Sequence, residues 1–172
     1  MLLNEMHDKL IDMGAKLVGS RYMDFDTPES DWDYLMVIGE DTYQELWRLG
    51  FETLWDESYG IKFVDVLRLN DDTLPRIEVQ LVASVEVFTL VANTYYELKQ
   101  QRVFKQIHKP LRKFTYIQIL YRQVLDNYFG SDRQKIMDEL EYDLVTYQYR
   151  LTEAMSDIYN ANIHTVSVDG LF

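Results

Sequence analysis

The sequence contains Gly19-Ser20-Arg21 and, after six intervening residues, Pro28-Glu29-Ser30-Asp31-Trp32-Asp33-Tyr34-Leu35-Met36-Val37. The glycine-serine pair ends a short apolar run, and the two aspartates lie at the start of a longer apolar run. Successive side chains of a β-strand alternate between its faces, so Asp31 and Asp33 are predicted to project from the same face, with Cα atoms roughly 7 Å apart. Two carboxylates this close repel each other unless a cation lies between them.

This pattern indicates which ligands the segment would bind. A hard divalent ion such as Mg²⁺ is commonly held by one or two carboxylates together with the phosphates of a substrate. Gly19 has no side chain, so its backbone N–H can approach a phosphate closely, and Ser20 adds a hydroxyl group. The sequence therefore predicts a site for a divalent metal and a triphosphate.

The same string resembles the signature of the nucleotidyltransferase superfamily, which has the DNA polymerase β-like fold, and its spacing is most similar to that of the minimal nucleotidyltransferases. The resemblance implies transfer of a nucleoside monophosphate from an NTP to a hydroxyl group, with Mg²⁺ or Mn²⁺ as the cofactor. It matches Gly19 and Ser20 to the phosphate-binding pair and Arg21 to a residue common after that pair. It matches Asp31 and Asp33 to the paired metal ligands.

One position departs from the family pattern. Minimal members usually carry a glycine three residues after the arginine, and this chain has Asp24 there. An aspartate adds negative charge near the expected phosphate, so both an active and an inactive site are compatible with the sequence. The alternative is a catalytically silent protein of the same fold that serves as a nucleotide sensor, a protein partner or an acidic inhibitor that imitates nucleic acid.

A metal site of this kind needs a further carboxylate, either as a ligand or as a general base. The resemblance implies that it lies on a later strand beside the one that carries the two aspartates. Glu78 and Asp65 are the candidates, and a tight turn at Asp71-Asp72 would pair them on one face of a hairpin. We favour Glu78, because Arg76-Ile77-Glu78-Val79 is similar to the corresponding polymerase strand, and Asp65 is the rival.

The remaining pattern predicts an α/β (α+β) fold, in which a mixed sheet has flanking helices and a helical region follows. Strands are predicted at 16–19, 31–38, 61–69 and 76–83, and helices before Gly14 and at 41–49, 85–106, 111–129 and 132–160. We expect residues 1–84 to form a nucleotidyltransferase-like core. Residues 85–172 are predicted to form a helical region packed on that core as one compact unit.

Composition limits the classes of protein that remain. The chain has 172 residues, 47% of them hydrophobic, which is enough for a real core. It has no cysteine, so disulfides and thiolate metal sites are excluded. Because no apolar run approaches the length of a membrane span and the first residues lack a cationic targeting pattern, we expect a soluble, cytoplasmic protein that does not bind membranes.

Charge is distributed unevenly along the chain, whose net charge is −12. Residues 1–97 hold 7 basic and 20 acidic side chains, whereas residues 98–125 hold 7 basic side chains and no acidic one. An acidic chain repels duplex DNA in general, so a polyanion would have to meet this basic block. We expect Lys99, Arg102 and Lys105 to contact nucleotide phosphates. The acceptor stays open among RNA, a protein hydroxyl and a small molecule.

Overall fold

The structure is a computed structural model that describes residues 1–54, 64–101, 104, 107, 109–138, 149, 152, 153 and 156, and only the backbone of residues 64, 109, 110 and 113. The chain divides into two compact units, Met1–Tyr96 and Glu97–Phe172. The division expected at residue 84 stays a prediction. The elements in chain order are α1 (Leu3–Asp12), β1 (Lys16–Val18), α2 (Gly19–Tyr22), β2 (Trp32–Val37), α3 (Thr42–Arg48), β3 (Phe51–Thr53), β4 (Val64–Leu69), β5 (Ile77–Val82), α4 (Val85–Gln100) and α5 (Lys109–Asn127).

The five strands form one sheet in the order β1-β2-β5-β4-β3. The central strands β2 and β5 run parallel, and the other three pairings are antiparallel. Both central strands are largely apolar, as expected for strands covered on both faces. The predicted fold class, a mixed sheet with flanking helices, is confirmed.

The main hydrophobic core lies on one face of this sheet. Its buried side chains come from helices α1 and α3 and from alternate positions of the strands: Met6, Leu10, Ala15, Tyr34, Met36, Leu46, Phe51, Leu67, Leu69, Ile77, Val79 and Leu81. On β2 and β5 the intervening residues therefore point to the other face. Asp33 and Glu78 are among them.

Helix α1 fixes the position of β2 through a polar contact as well as through packing. Met6 and Leu10 are buried on its inner side. His7 Nδ1 lies 2.6 Å from the hydroxyl of Tyr34, a side chain that is fully buried. Burial raises the pKa of Tyr34 to about 12, so this hydroxyl stays protonated and can donate to the histidine.

The hairpin between β4 and β5 has a different register from the predicted one. Arg68 is paired with Glu78, and Asp65 is paired with Leu81. A tight turn at Asp71-Asp72 would have paired Asp65 with Glu78, so that prediction was wrong. The connection is longer because the Asp71 carboxylate accepts hydrogen bonds from both the backbone N–H and the hydroxyl of Thr73 and closes its own local turn.

The second unit is helical over the residues that the structure describes. Helix α4 ends at Gln100, earlier than predicted, and residues 130–138 are helical at the start of the predicted helix 132–160. Most of that predicted helix lies outside the described residues. The buried side chains of this unit include Leu98, Phe104, Ile107, Leu111, Ile117, Ile119, Leu120 and Val124. Over the described ranges, every helix is too short or too polar to cross a membrane.

Candidate active site

A row of directly paired residues crosses all five strands on the face opposite the main core. Its members, from one edge of the sheet to the other, are Val18, Asp33, Glu78, Arg68 and Glu52. Paired residues of neighbouring strands project to the same side and lie about 4.5 to 5.5 Å apart. The register of the sheet therefore places two carboxylates side by side with a guanidinium next to them.

Asp31 joins the two carboxylates of this row. One carboxylate oxygen from each of Asp31, Asp33 and Glu78 lies within 4.8 Å of the other two. Around an octahedral Mg²⁺ ion, neighbouring oxygens are about 3 Å apart and opposite ones about 4 Å, because each sits about 2.0 to 2.1 Å from the ion. Small side-chain movements would be enough to bring the three oxygens onto one cation. The structure thus brings together the aspartate pair and the favoured third carboxylate.

The electrostatics of Asp33 fit a cation site. Burial raises its pKa from 3.8 to about 7, and the charges of Glu78 and Asp31 add to the increase, while Arg21 opposes it. An ionised Asp33 is therefore costly as long as only the protein surrounds it. A divalent cation would reverse this cost, because it favours the ionised form of each carboxylate.

Two arginines partly neutralise the cluster. Arg68 Nε donates to Glu78 Oε1 at 2.8 Å, and its Nη2 donates to the same oxygen. The Glu78 residue is only 5% exposed, so it needs such a partner. Arg76 Nη1 lies 3.8 Å from Asp31 Oδ2 in a more exposed ion pair. Sequence reasoning assigned no role to Arg68, because its approach to Glu78 depends on the hairpin register.

Gly19 lies directly against Asp33. Its φ is +73°, and a Cβ atom added there would come within 2.3 Å of Asp33 Oδ2. Only glycine fits both the backbone conformation and the space. Ser20 follows at the start of α2, and its hydroxyl has no hydrogen-bond partner among the described residues. The predicted phosphate-binding pair is thus adjacent to the carboxylate cluster.

The Arg21 side chain forms hydrogen bonds to the loop that joins α2 to β2. Its guanidinium donates to Asp26 at 3.0 Å and to the carbonyl oxygen of Ser30 at 2.8 Å. The same group lies over the Trp32 ring, 4.2 Å from the ring centroid. These contacts hold the loop against β2 and so help to position Asp31. The predicted contact of Arg21 with a nucleotide stays a prediction.

Asp24 has a left-handed backbone conformation although it is not a glycine. Its φ is +60°, in the left-handed region, where it is the one non-glycine residue among those described. Aspartate tolerates this region better than most side chains do, because its short polar group can hydrogen-bond locally. The departure from the family pattern therefore preserves the turn and adds a negative charge.

Asp65, the rival third carboxylate, lies on the other side of the sheet. It is paired with Leu81, whose side chain belongs to the main core. The hydroxyl of Tyr43 on α3 donates a hydrogen bond to Asp65. Burial and this bond raise the pKa of Tyr43. Asp65 therefore contacts α3 and is separated from the Asp31, Asp33 and Glu78 cluster by the thickness of the sheet.

The predicted basic block, residues 98–125, lies within the second unit. Arg102 and Lys105 lie outside the described residues, and Lys99 is in the last turn of α4. Two other members of the block are used within the unit. Arg112 Nε donates to the carbonyl oxygen of Ile107 at 2.9 Å, and Arg122 pairs with Glu97. Nucleotide binding by Lys99, Arg102 and Lys105 stays a prediction.

A cavity of about 430 Å³ opens beside the carboxylate cluster, and its size is typical of small-molecule sites. It combines apolar, acidic and basic side chains from the ends of β3 and β4 and from the loop before β5: Glu52, Leu54, Arg68, Leu69, Asn70, Asp71, Asp72, Leu74 and Arg76. Both arginines that pair with the cluster are part of the lining. The cavity was not foreseen from the sequence.

Comparison with known proteins gives only distant likenesses. No protein-family model matches the chain, and no curated protein matches it. Solved structures of Cid1 poly(U) polymerase are similar: one with Mg and 3′-dATP bound has 14% identity and a TM-score of 0.34, covering 72% of this chain and 43% of that chain. Another, of Cid1 as an RNA terminal uridylyl transferase, has 12% identity and a TM-score of 0.32, covering 68% of this chain and 39% of that one.

This chain spans less than half the length of those structures. TM-scores this low do not establish a common fold for the whole chain.

Proposed function

We propose that this protein is a metal-dependent nucleotidyltransferase that moves a nucleoside monophosphate from an NTP to a hydroxyl group. The observation that carries the proposal is the convergence of three carboxylate oxygens from Asp31, Asp33 and Glu78 within 4.8 Å, next to Gly19, where any side chain would clash with Asp33. Three clustered carboxylates with a buried, destabilised member are typical of a site for a hard cation.

In this proposal Asp31, Asp33 and Glu78 hold Mg²⁺ or Mn²⁺. When bound, the metal would polarise the phosphoryl oxygens, orient the attacking hydroxyl and neutralise the leaving pyrophosphate. Glu78 either completes the metal site or accepts the proton of the attacking hydroxyl. Its partner Arg68 holds the buried Glu78 carboxylate in place through hydrogen bonds to Oε1.

The nucleotide phosphates are proposed to lie against Gly19 and Ser20. A phosphate oxygen there would accept hydrogen bonds from the Ser20 hydroxyl and from backbone N–H groups, at a distance that the absence of a Cβ atom on Gly19 permits. Arg21 would contribute positive charge close to Asp33, where its charge already opposes the rise in the pKa of that carboxyl group. Lys99, Arg102 and Lys105 are proposed as further phosphate contacts. Phosphoryl transfer depends mainly on such positioning and charge.

The experiment that tests the proposal has a binding step and a transfer step. Purified protein should bind a non-hydrolysable NTP when Mg²⁺ or Mn²⁺ is present and not in EDTA, as measured by calorimetry. Asp33→Asn should abolish this metal dependence, whereas Asp65→Asn, on the other side of the sheet, should keep it. NTP binding that is equal with and without metal would contradict the proposal.

For the transfer step, labelled NTPs are incubated with the protein and a cell extract. Label on RNA, on protein or on a small molecule identifies the class of acceptor, and Asp33→Asn is the matched control. Metal-dependent binding with no transfer to any fraction would instead support the silent nucleotide-binding protein. The negative charge that Asp24 adds to the loop is the observation that favours this second function.

A further inference from the structure

The cavity beside the cluster and the cluster itself have two residues in common. Arg68 lines the cavity and donates to Glu78, and Arg76 lines the cavity and pairs with Asp31. The same two guanidiniums therefore face a 430 Å³ space on one side and the proposed metal ligands on the other. Whatever binds the carboxylates must compete with these arginines.

The balance of charge shows what this competition does. Fully ionised, the three carboxylates and the two guanidiniums paired with them carry one net negative charge, and Arg21, whose charge also acts on Asp33, offsets it. A divalent cation therefore makes the cluster net positive. A guanidinium repels a cation bound to the carboxylate with which it pairs, so metal binding weakens both ion pairs. The space into which each guanidinium can turn is the cavity that it already lines.

We propose that Arg68 and Arg76 act as internal counter-cations of the cluster, and that metal binding releases them to bind a phosphate group in the adjacent cavity. The proposal rests on the proposed function, because it requires the metal site on Asp31, Asp33 and Glu78. Planar guanidiniums bind the oxygens of a phosphate group through paired hydrogen bonds. The phosphate belongs either to the nucleotide or to the acceptor.

Glu52 limits the strength of this anion site. It is paired with Arg68 across β3 and β4, on the side away from Glu78, and it also lines the cavity. Asn70 Nδ2 donates to its carboxylate at 3.0 Å. A released Arg68 can therefore turn to Glu52 or to a bound phosphate. Removing the charge of Glu52 should shift this competition toward the phosphate.

The first test is the affinity for Mg²⁺ alone, measured by calorimetry on the full chain without nucleotide. Arg68→Gln should bind Mg²⁺ at least about threefold more tightly than the wild type, because the competing cation is gone. If Arg68 merely positioned Glu78, the same variant would bind Mg²⁺ more weakly, and that result overturns the proposal. Should Arg68→Gln fail to fold, Arg76→Gln gives the same test, since the Arg76 side chain is 53% exposed.

The second test uses inorganic sulfate as a phosphate-like probe in equilibrium dialysis. Wild-type protein should bind sulfate at least about threefold more tightly with saturating Mg²⁺ than in EDTA, and Arg68→Gln should lose this increase. Glu52→Gln should strengthen sulfate binding in the presence of Mg²⁺. Equal sulfate binding with and without Mg²⁺ contradicts the proposal.

Two outcomes separate this proposal from the proposed function. If the wild type binds no Mg²⁺ in a manner that Asp33→Asn abolishes, the metal site fails and both ideas fall. If that binding is present but Arg68→Gln weakens it, only the counter-cation proposal falls. A non-hydrolysable NTP distinguishes the sources of the phosphate: it displaces sulfate if the cavity takes a nucleotide phosphate, and leaves it bound if the cavity takes the acceptor.

Discussion

Asp33 on β2 and Glu78 on β5 are directly paired residues of two parallel strands at the centre of the sheet. Their side chains share one face, and the charge of Glu78 contributes to the raised pKa of Asp33. Like charges on directly opposed strand positions are destabilising. The fold keeps this arrangement at a cost in stability, which is typical of residues placed for binding rather than for folding.

The first prediction concerns pH and stability. The pKa of Asp33 is raised from 3.8 to about 7 in the folded protein. The contribution of Asp33 to the free energy of unfolding is therefore fully present below pH 4 and is lost as the pH rises through 7. The corresponding loss in the free energy of unfolding is on the order of 4 kcal/mol. Asp33→Asn should remove this pH-dependent loss of stability. Urea denaturation of variant and wild type between pH 4 and pH 8 measures the difference in their free energies of unfolding.

In this comparison, Asp33→Asn gains stability over the wild type as the pH rises. Addition of Mg²⁺ at pH 8 should stabilise the wild type and leave Asp33→Asn unchanged, because only an ionised Asp33 favours the metal. Asp65→Asn is the control for loss of a carboxylate elsewhere on the sheet. A constant difference between Asp33→Asn and wild type over the whole pH range would show that Asp33 titrates normally.

The second prediction separates backbone conformation from space at Gly19. Gly19 and Gly130 have nearly the same φ, +73° and +75°, but a Cβ atom meets Asp33 at Gly19 and nothing within 4 Å at Gly130. Gly130→Ala should cost about 1 kcal/mol for the left-handed conformation. Gly19→Ala should cost a further 1 to 3 kcal/mol or so from the clash, measured by urea denaturation.

Gly19→Ala should also reduce the affinity for Mg²⁺, because the added methyl group displaces the Asp33 carboxylate. Gly130→Ala should leave that affinity unchanged. Equal destabilisation by the two alanine substitutions would mean that the loop at Gly19 yields without moving Asp33.

The third prediction ranks the two candidates for the third carboxylate. Glu78→Gln should lower kcat by about 10²-fold to 10⁴-fold, the range for loss of a general base, with little change in NTP affinity. Asp65→Asn should change kcat only slightly, because Asp65 contacts Tyr43 on the opposite side of the sheet. Single-turnover measurements with the identified acceptor compare the two. The opposite ranking would assign the role to Asp65.

The fourth prediction tests the left-handed conformation of Asp24. Asp24→Gly and Asp24→Ala both remove the carboxylate, so the difference between them reports the backbone alone. With φ at +60°, the alanine variant should be less stable than the glycine variant by about 1 kcal/mol. Thermal denaturation of both proteins provides the measurement. An alanine variant as stable as the glycine variant would show that the loop adopts another conformation in solution.

The fifth prediction concerns the basic block and an RNA acceptor. If Lys99 and Arg102 contact phosphates of single-stranded RNA, each should contribute about −0.7 to the slope of log affinity against log salt concentration. The double variant Lys99→Gln/Arg102→Gln should therefore flatten that slope by roughly one to one and a half. Filter binding at a series of salt concentrations measures it. An unchanged slope and unchanged NTP affinity would contradict phosphate contacts by Lys99 and Arg102.

The sequence by itself determined the fold class and the centre of the candidate site. The apolar runs around β2 and β5 predict buried strands, and strand alternation places Asp31 and Asp33 on one face with no knowledge of neighbouring strands. Gly19 was likewise singled out from its local sequence, the Gly19-Ser20-Arg21 string after a short apolar run. These features follow from short-range geometry.

Only the tertiary structure decided which residues surround that centre. The hairpin register depends on the length and hydrogen bonding of the loop before β5, and a shift of an odd number of residues moves a side chain to the other face. This shift placed Arg68 beside Glu78 and turned Asp65 toward α3. The partners of Arg21 and the cavity shared by Arg68 and Arg76 likewise result from contacts between segments that are distant in the sequence.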